Sequence, residues 1–261
     1  MSGRTIGAFA CLGNFLNLHR DLRAALLPAL AAAAFALITP HAAAAAGEPY
    51  VQGDVTLATD YMVRGASQTQ SRAALQACVE FGLANGLYGY VFGSNVDYIA
   101  DGDPDDGARL ELDLALGYEH ALTERLTASL TRVEYFNPGT NPGIDYDFGE
   151  WVGAITLDNR HSLLAGHAEN YVGTGEPAFY LGLGAGTDLP LDLALEVKVG
   201  HYDLQAAFGE SYLHGTLALS GSRGAFAWEL SYHVTDGSAR RIAYASVVEP
   251  RLVLSVDVTV W

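Results

Sequence analysis

Charged side chains recur at every second position along several stretches of this 261-residue chain. Glu111 and Asp113 stand between leucines, Glu196 precedes Lys198 by two, and Asp54, Asp60 and Arg64 fall in phase with one another. A period of two puts such groups on one face of a β-strand and the intervening apolar residues on the other. Carboxylates gathered on the wet face of a curved sheet would line a polar cavity or passage that attracts cations. Two other chemistries need weighing. Ser231 and His233 share a face and could begin a hydrolytic site, but nothing in the sequence fixes an acid partner or an oxyanion donor. Asp101, Asp103, Asp105 and Asp106 form an acidic loop; Pro104 inside it and Leu112 at the twelfth position exclude an EF-hand, and a solvated loop is the preferred reading. No glycine-rich phosphate loop, zinc spacing or redox cysteine pair occurs, so no catalytic residue, metal or cofactor is expected.

The elements that would position these groups are strands throughout. In Tyr50 to Gly65, Val51, Val55, Leu57, Tyr61 and Val63 share one face, and Gln52, Asp54, Thr56, Asp60 and Arg64 the other. Leu75 to Leu83 alternates likewise, with Glu80 on the polar side, and Asn85-Gly86 supplies a hairpin turn. The clearest case runs from Arg109 to Glu119, where Leu110, Leu112, Leu114, Leu116 and Tyr118 interleave with Arg109, Glu111, Asp113 and Glu119. Further strands are expected at 87–98, 126–136, 146–157, 162–171, 178–187, 191–202, 212–220, 225–235 and 251–261. Those near 127–135 and 163–171 alternate poorly, and their facing is not assigned. The count, about twelve, is even, as closure of a single-chain antiparallel barrel requires.

Connections sort by size. Asn85-Gly86, 120–125, 158–160, 188–190 and 221–224 are short, and between them lie longer links at 66–72, 100–108, 137–145, 172–177, 203–211 and 236–250. Short turns at one rim and long loops at the other are the mark of a transmembrane β-barrel, whereas a soluble sandwich has no reason to sort loops by parity. Strands of about ten residues with an apolar outer face meet the bilayer's requirement that every backbone group be bonded internally. Tyr98, Tyr135, Phe136, Tyr146, Tyr171, Tyr202 and Tyr212 flank the long links and are expected to form an interfacial aromatic girdle. The fold expected is therefore all-β, an antiparallel transmembrane barrel over residues 47–261.

Composition agrees with that setting. Residues 1–46 order Arg4, Arg20 and Arg23, an uncharged run from Ala24 to Ile38, and a small-residue tract at Ala42 to Ala46, which reads as a cleaved secretory signal peptide. The remainder carries 11 basic and 29 acidic residues, a charge of minus 18 that disfavours nucleic acid.

Specific motifs carry a resemblance. The stretch Asp60-Tyr61-Met62-Val63-Arg64-Gly65-Ala66-Ser67-Gln68-Thr69 resembles the DYxxRGxSQT segment of the TorF family of porin-like exported proteins. Asn85-Gly86-Leu87-Tyr88-Gly89, Ser94-Asn95-Val96-Asp97, Tyr135-Phe136-Asn137-Pro138-Gly139 and Tyr146-Asp147-Phe148-Gly149-Glu150 follow in the family's order. The resemblance covers the mature chain, with its specific motifs in the first half, and implies an outer-membrane barrel acting as a porin. One departure concerns Trp261, which is terminal but one residue out of phase with the apolar set Leu252, Leu254, Val256, Val258 and Val260. Either its side chain turns out at the interface or a bulge shifts the strand.

With apolar faces toward lipid, the expected pore-lining residues are Asp54, Asp60, Arg64, Glu80, Arg109, Glu111, Asp113, Glu119, Glu150, Glu196, Lys198, Glu229 and Asp257. Acidic groups outnumber the three basic ones, so an open lumen would pass small solutes with a preference for cations. The alternative is a non-conducting structural or ligand-binding barrel in which these charges pair internally, and strand number does not separate the two. The partners expected are outer-membrane lipid and lipopolysaccharide, small solutes, and the barrel insertion machinery acting on the strand that ends in Trp261.

Overall fold

The computed structural model describes residues 49–99 and 103–261. The expected signal peptide and Asp101 lie outside the described residues. Twelve antiparallel strands close on themselves: β1 (Tyr50–Ala58), β4 (Ala74–Gly82), β5 (Leu87–Asn95), β6 (Leu110–Ala121), β7 (Leu126–Phe136), β8 (Phe148–Leu157), β9 (His161–Ala168), β10 (Ala178–Leu189), β11 (Leu193–Leu204), β12 (Glu210–Arg223), β13 (Phe226–Thr235) and β14 (Arg251–Thr259). Each pairs with its neighbours in sequence, and β1 pairs with β14 to complete the ring. Closure leaves no sheet edge, the condition for a β-structure in hydrocarbon.

Alternation fixes what each face meets. On β6 the outward Leu112, Leu114, Leu116 and Tyr118 are exposed, while the inward Glu111 and Asp113 are fully buried. Val51, Val55 and Leu57 on β1 and Leu252, Leu254 and Val256 on β14 continue the same apolar outer band. The two strands that alternate poorly in sequence do so because their inner faces also carry apolar residues. Val133 and Tyr135 on β7 and Leu164 and Ala168 on β9 point inward and are buried.

Three expectations are corrected. The first strand stops at Ala58, and the next residues fold into the barrel as a miniature hairpin of β2 (Met62–Val63) and β3 (Ala66–Ser67). Tyr61 and Val63 therefore sit inside, fully or almost fully buried, instead of extending the lipid-facing set. Arg64 and Gly65 form the two-residue turn with φ of 44° and 83°, the positive values such a tight hairpin demands. Second, Tyr98, Tyr135, Tyr146, Tyr171, Tyr202 and Tyr212 are all buried within the barrel mouth and do not form a girdle. Of the aromatic residues named for that role, Phe136 alone faces outward. Strand parity decides this for Tyr135, Tyr202 and Tyr212, since a strand tyrosine beside a long loop can lie on either face, whereas Tyr98, Tyr146 and Tyr171 lie outside the strands in connections that fold inward. Third, Arg109 precedes β6 and lies at the rim, not in the wall.

Trp261 turns out of phase by packing flat over Gly53 of β1. A Cβ on Gly53 would come within 2.2 Å of the indole. Val260 N–H donates to the Gly53 carbonyl at 2.7 Å, so the last residues stay pinned to the first strand.

An Arg at the middle of the outer band would be desolvated by lipid. Leu114→Arg is expected to lower folding stability by about 2–4 kcal/mol, read from denaturant titration in phospholipid vesicles, whereas Ala115→Arg on the inner face is expected to cost less.

Candidate functional site: a latched lumen

The inserted hairpin is held across the lumen by a set of mutually supporting contacts. Asp60, at its base, accepts from Ser67 Oγ at 2.6 Å, Thr69 Oγ1 at 2.8 Å and Arg251 Nη1 of β14 at 2.7 Å. Tyr61 N–H donates to Thr69 Oγ1 and Gln68 N–H to the Tyr61 carbonyl, closing the loop on itself. Tyr61 reaches across to Glu111 of β6, donating at 2.7 Å, and Tyr98 donates to the other Glu111 oxygen at 2.9 Å. A buried carboxylate is thus satisfied by two phenols that tie loop and wall together.

The tip carries a buried ion pair. Arg64 Nη2 donates to both oxygens of Glu150 on β8, at 2.9 and 3.1 Å, and both side chains are excluded from solvent. The guanidinium lies 4.0 Å from the centre of the Tyr180 ring and 4.5 Å from that of Tyr202, two rings meeting edge to face. Tyr212 donates to the Arg64 carbonyl at 3.0 Å. Gly166 of β9 makes room for this arrangement, because a Cβ there would lie 2.5 Å from Glu150 Oε1 and 3.3 Å from Arg64 Nη2.

Beyond the hairpin an open cavity of about 100 Å³ runs toward the short-turn rim; Arg64, Tyr180, Lys198, His214, Glu229 and His233 are among its walls. Lys198, the chain's single lysine, pairs with Glu196 at 3.0 Å. His214 Nε2 meets the Tyr180 hydroxyl at 3.1 Å. Ser231 and His233 do touch, with Oγ 2.9 Å from Nε2, but the other imidazole nitrogen faces Thr216 Oγ1 at 3.2 Å. A hydroxyl in that place cannot orient or stabilise an imidazolium as a carboxylate would.

The opposite wall is different. Asp54 on β1, Glu80 on β4, Asp113 and Glu119 on β6 and Asp257 on β14 face inward, and Arg251 at the long-loop rim is the one base on these strands' inner faces and that of β5. Thr56 and Gln52 donate to Asp257 and Asp54 at 2.6 and 3.0 Å. Both Asp113 oxygens, and one oxygen each of Asp54 and Asp257, have no hydrogen-bond partner among the described residues. The inner surface is therefore uneven, with carboxylates that face no neighbouring lysine on one side and, on the other, Lys198 with Glu196, Glu229 and two histidines.

Above the lumen, the acidic loop is engaged by protein donors. Asp105 accepts from Gly107 N–H at 2.9 Å and Arg109 at 2.7 Å, which together hold its carboxyl below the usual range. Asp106 accepts from Ala108 N–H and the Tyr146 hydroxyl, both at 2.9 Å, yet burial raises its carboxyl above the usual range. Tyr244 donates to Asp103. No group of three or more His, Cys, Asp or Glu side chains placed to hold a metal occurs among the described residues.

Of the sequence-derived residues, Asp60, Arg64, Glu111 and Glu150 form the latch, Glu196, Lys198 and Glu229 lie along the cavity, and Asp54, Glu80, Asp113, Glu119 and Asp257 make the acidic wall. Arg109 is at the mouth with Asp105 and Asp106. Sequence reasoning missed the roles of Tyr61, Tyr98, Tyr180 and Tyr202: Tyr98 and Tyr202 were expected at the lipid interface, Tyr61 on an apolar strand face, and Tyr180 was given no role.

Residues 42–261 match the model of a family described as a bacterial protein of unknown function, Gcw_chp. The chain belongs to that family. No curated relative matches its sequence. Among solved structures, this Gcw_chp chain resembles the KdgM porin at 6% identity and a TM-score of 0.51, over 80% of this chain and 98% of that one. The KdgM porin in complex with disordered oligogalacturonate gives the same coverage, 6% identity and a TM-score of 0.50. OprD from Pseudomonas aeruginosa aligns at 10% identity with a TM-score of 0.39, over 80% of this chain and 64% of that one. The Gcw_chp barrel has the architecture of an outer-membrane porin: a closed antiparallel wall, an apolar outer band, short turns at one rim and long loops at the other.

The space left by Gly166 gives a direct check on the latch. Gly166→Ala is expected to push Glu150 from Arg64 and raise hydrogen exchange at residues 62–67, while amides of β8 and β9 stay protected.

Proposed function

We propose that this chain is an outer-membrane diffusion channel for small polar solutes, cation-preferring, whose resting lumen is narrowed by the β2–β3 hairpin. The observation that carries this reading is the acidic wall. Asp54, Glu80, Asp113, Glu119 and Asp257 line the inner faces of four strands, and carboxylates in a low-dielectric passage favour cations over anions. The fold shared with the KdgM porin supports the channel, but the acidic wall argues for a different solute class from the polyanionic oligogalacturonate of that complex. The reading includes export by a leader over residues 1–46, a barrel over 47–261, insertion directed by the strand ending in Trp261, and the kinship with TorF-type porins that the motif at Asp60 to Thr69 supports.

A second reading, a non-conducting structural or binding barrel, draws on one observation, the latch itself. Planar-bilayer recording in a KCl gradient separates the two. The wild-type barrel is expected to give small, infrequent steps with cation-biased reversal, and the double variant Arg64→Ala/Glu150→Gln larger and more frequent ones. Asp54→Asn/Glu80→Gln/Asp257→Asn should remove most of the bias. Silence from both the wild-type and unlatched barrels, each shown folded by heat-modifiable gel mobility, selects the non-conducting reading, and an anion-biased reversal potential discards the cation preference.

A further inference from the structure

The pocket that receives Arg64 has the composition of a receptor for a free cation. A carboxylate, Glu150, lies at its floor, and two tyrosine rings, Tyr180 and Tyr202, form a corner over which the guanidinium rests at 4.0 and 4.5 Å. A flat, weakly hydrated cation is favoured by this combination, because stacking and a carboxylate act on it together. All three walls belong to barrel strands β8, β10 and β11, whereas the occupant is the tip of a loop. The site therefore exists independently of the residue that fills it.

Arg64 also fills it imperfectly. A guanidinium binds a carboxylate best through two parallel N–H donors, one to each oxygen. Here a single nitrogen, Nη2, serves both Glu150 oxygens, and Nε and Nη1 have no hydrogen-bond partner among the described residues. Its backbone is bound too, in a two-residue turn with positive φ, so the side chain cannot shift to improve the fit without moving the hairpin. A free guanidinium is under no such constraint. It could present two donors side by side and place its remaining N–H groups toward the cavity that begins at this point.

We propose that the Glu150, Tyr180 and Tyr202 pocket is a binding site for guanidinium-bearing solutes, occupied at rest by Arg64 as an internal substitute. Such a solute displaces Arg64 from Glu150, frees the tip of the β2–β3 hairpin and widens the lumen, so the permeant species opens its own path. The inference rests on the channel reading for its consequence but not for the binding itself. Competition sets the magnitude: a site occupied internally most of the time shows an apparent affinity reduced by the fraction left vacant.

Isothermal titration of the refolded barrel in detergent with methylguanidinium chloride, against equimolar KCl, tests the site. Arg64→Ala is expected to bind methylguanidinium at least about tenfold more tightly than the wild type, since the internal competitor is gone. Arg64→Ala/Glu150→Gln is expected to lose that binding. Equal affinity in wild type and Arg64→Ala, or equal affinity with and without the Glu150 carboxylate, overturns the proposal. If Arg64→Ala does not close into a heat-modifiable barrel, hydrogen exchange of the wild type decides. Saturating methylguanidinium should accelerate exchange at residues 62–67, and unchanged exchange there overturns it. A barrel that binds but conducts nothing fails the channel reading alone, and one that conducts without binding fails this proposal alone.

Discussion

Closure of the sheet is the constraint on which the rest of this structure depends. Within hydrocarbon an unbonded amide is prohibitively costly, so β1 must meet β14, and every strand residue is then committed to lipid or lumen with no third choice. That binary choice explains why so acidic a chain can also be so apolar. The leucines of β6 are placed where water never reaches them, and Glu111 and Asp113 where lipid never does. The same rule puts Tyr135, Tyr202 and Tyr212 on inner faces at the mouth, where they join Tyr98, Tyr146 and Tyr171 of the inward-folded connections around the inserted hairpin.

The hairpin shows how charge is managed once it is inside. Two ions taken from water repay their desolvation only if geometry and supporting hydrogen bonds are good. Glu111 meets that standard, with a phenol on each oxygen. The pair formed by Arg64 and Glu150 meets it less well, since two guanidinium nitrogens face rings instead of acceptors. Asp60 secures the base of the hairpin through three donors from two separate parts of the chain. Firm anchorage at the base and a weaker hold at the tip are the mechanical requirements of a hinged flap.

Much of the fold was legible because period two is a strong signal when one face is lipid. Strand number, loop parity and the inward set Asp54, Glu80, Glu111, Asp113 and Asp257 all follow from it. Where it fails, the cause is local. Alternation continues in the letters past Ala58, through Tyr61 and Val63, but the Arg64-Gly65 turn, which needs positive φ, folds that segment inward. Arg64 was placed in the lumen by parity and is there for another reason, as the tip of a hairpin. The pairing of Arg64 with Glu150, 86 positions apart, had no sequence signal. Neither did the aromatic corner, because a tyrosine's face is not written in its neighbours when those are glycines, as at Gly182 and Gly200.

The seam between the first and last strands has a further consequence. Its register runs only from Asp54 opposite Thr259 to Ala58 opposite Ser255, while β11 and β12 are matched from Leu193 opposite Gly221 to Leu204 opposite Glu210. The seam also joins the residues most distant in sequence, so it carries the largest loop-closure entropy of any strand pair. It should zip last during assembly and part first under heat or force. Trp261, lying across Gly53 at that point, then acts as a clasp on the weakest line of the cylinder.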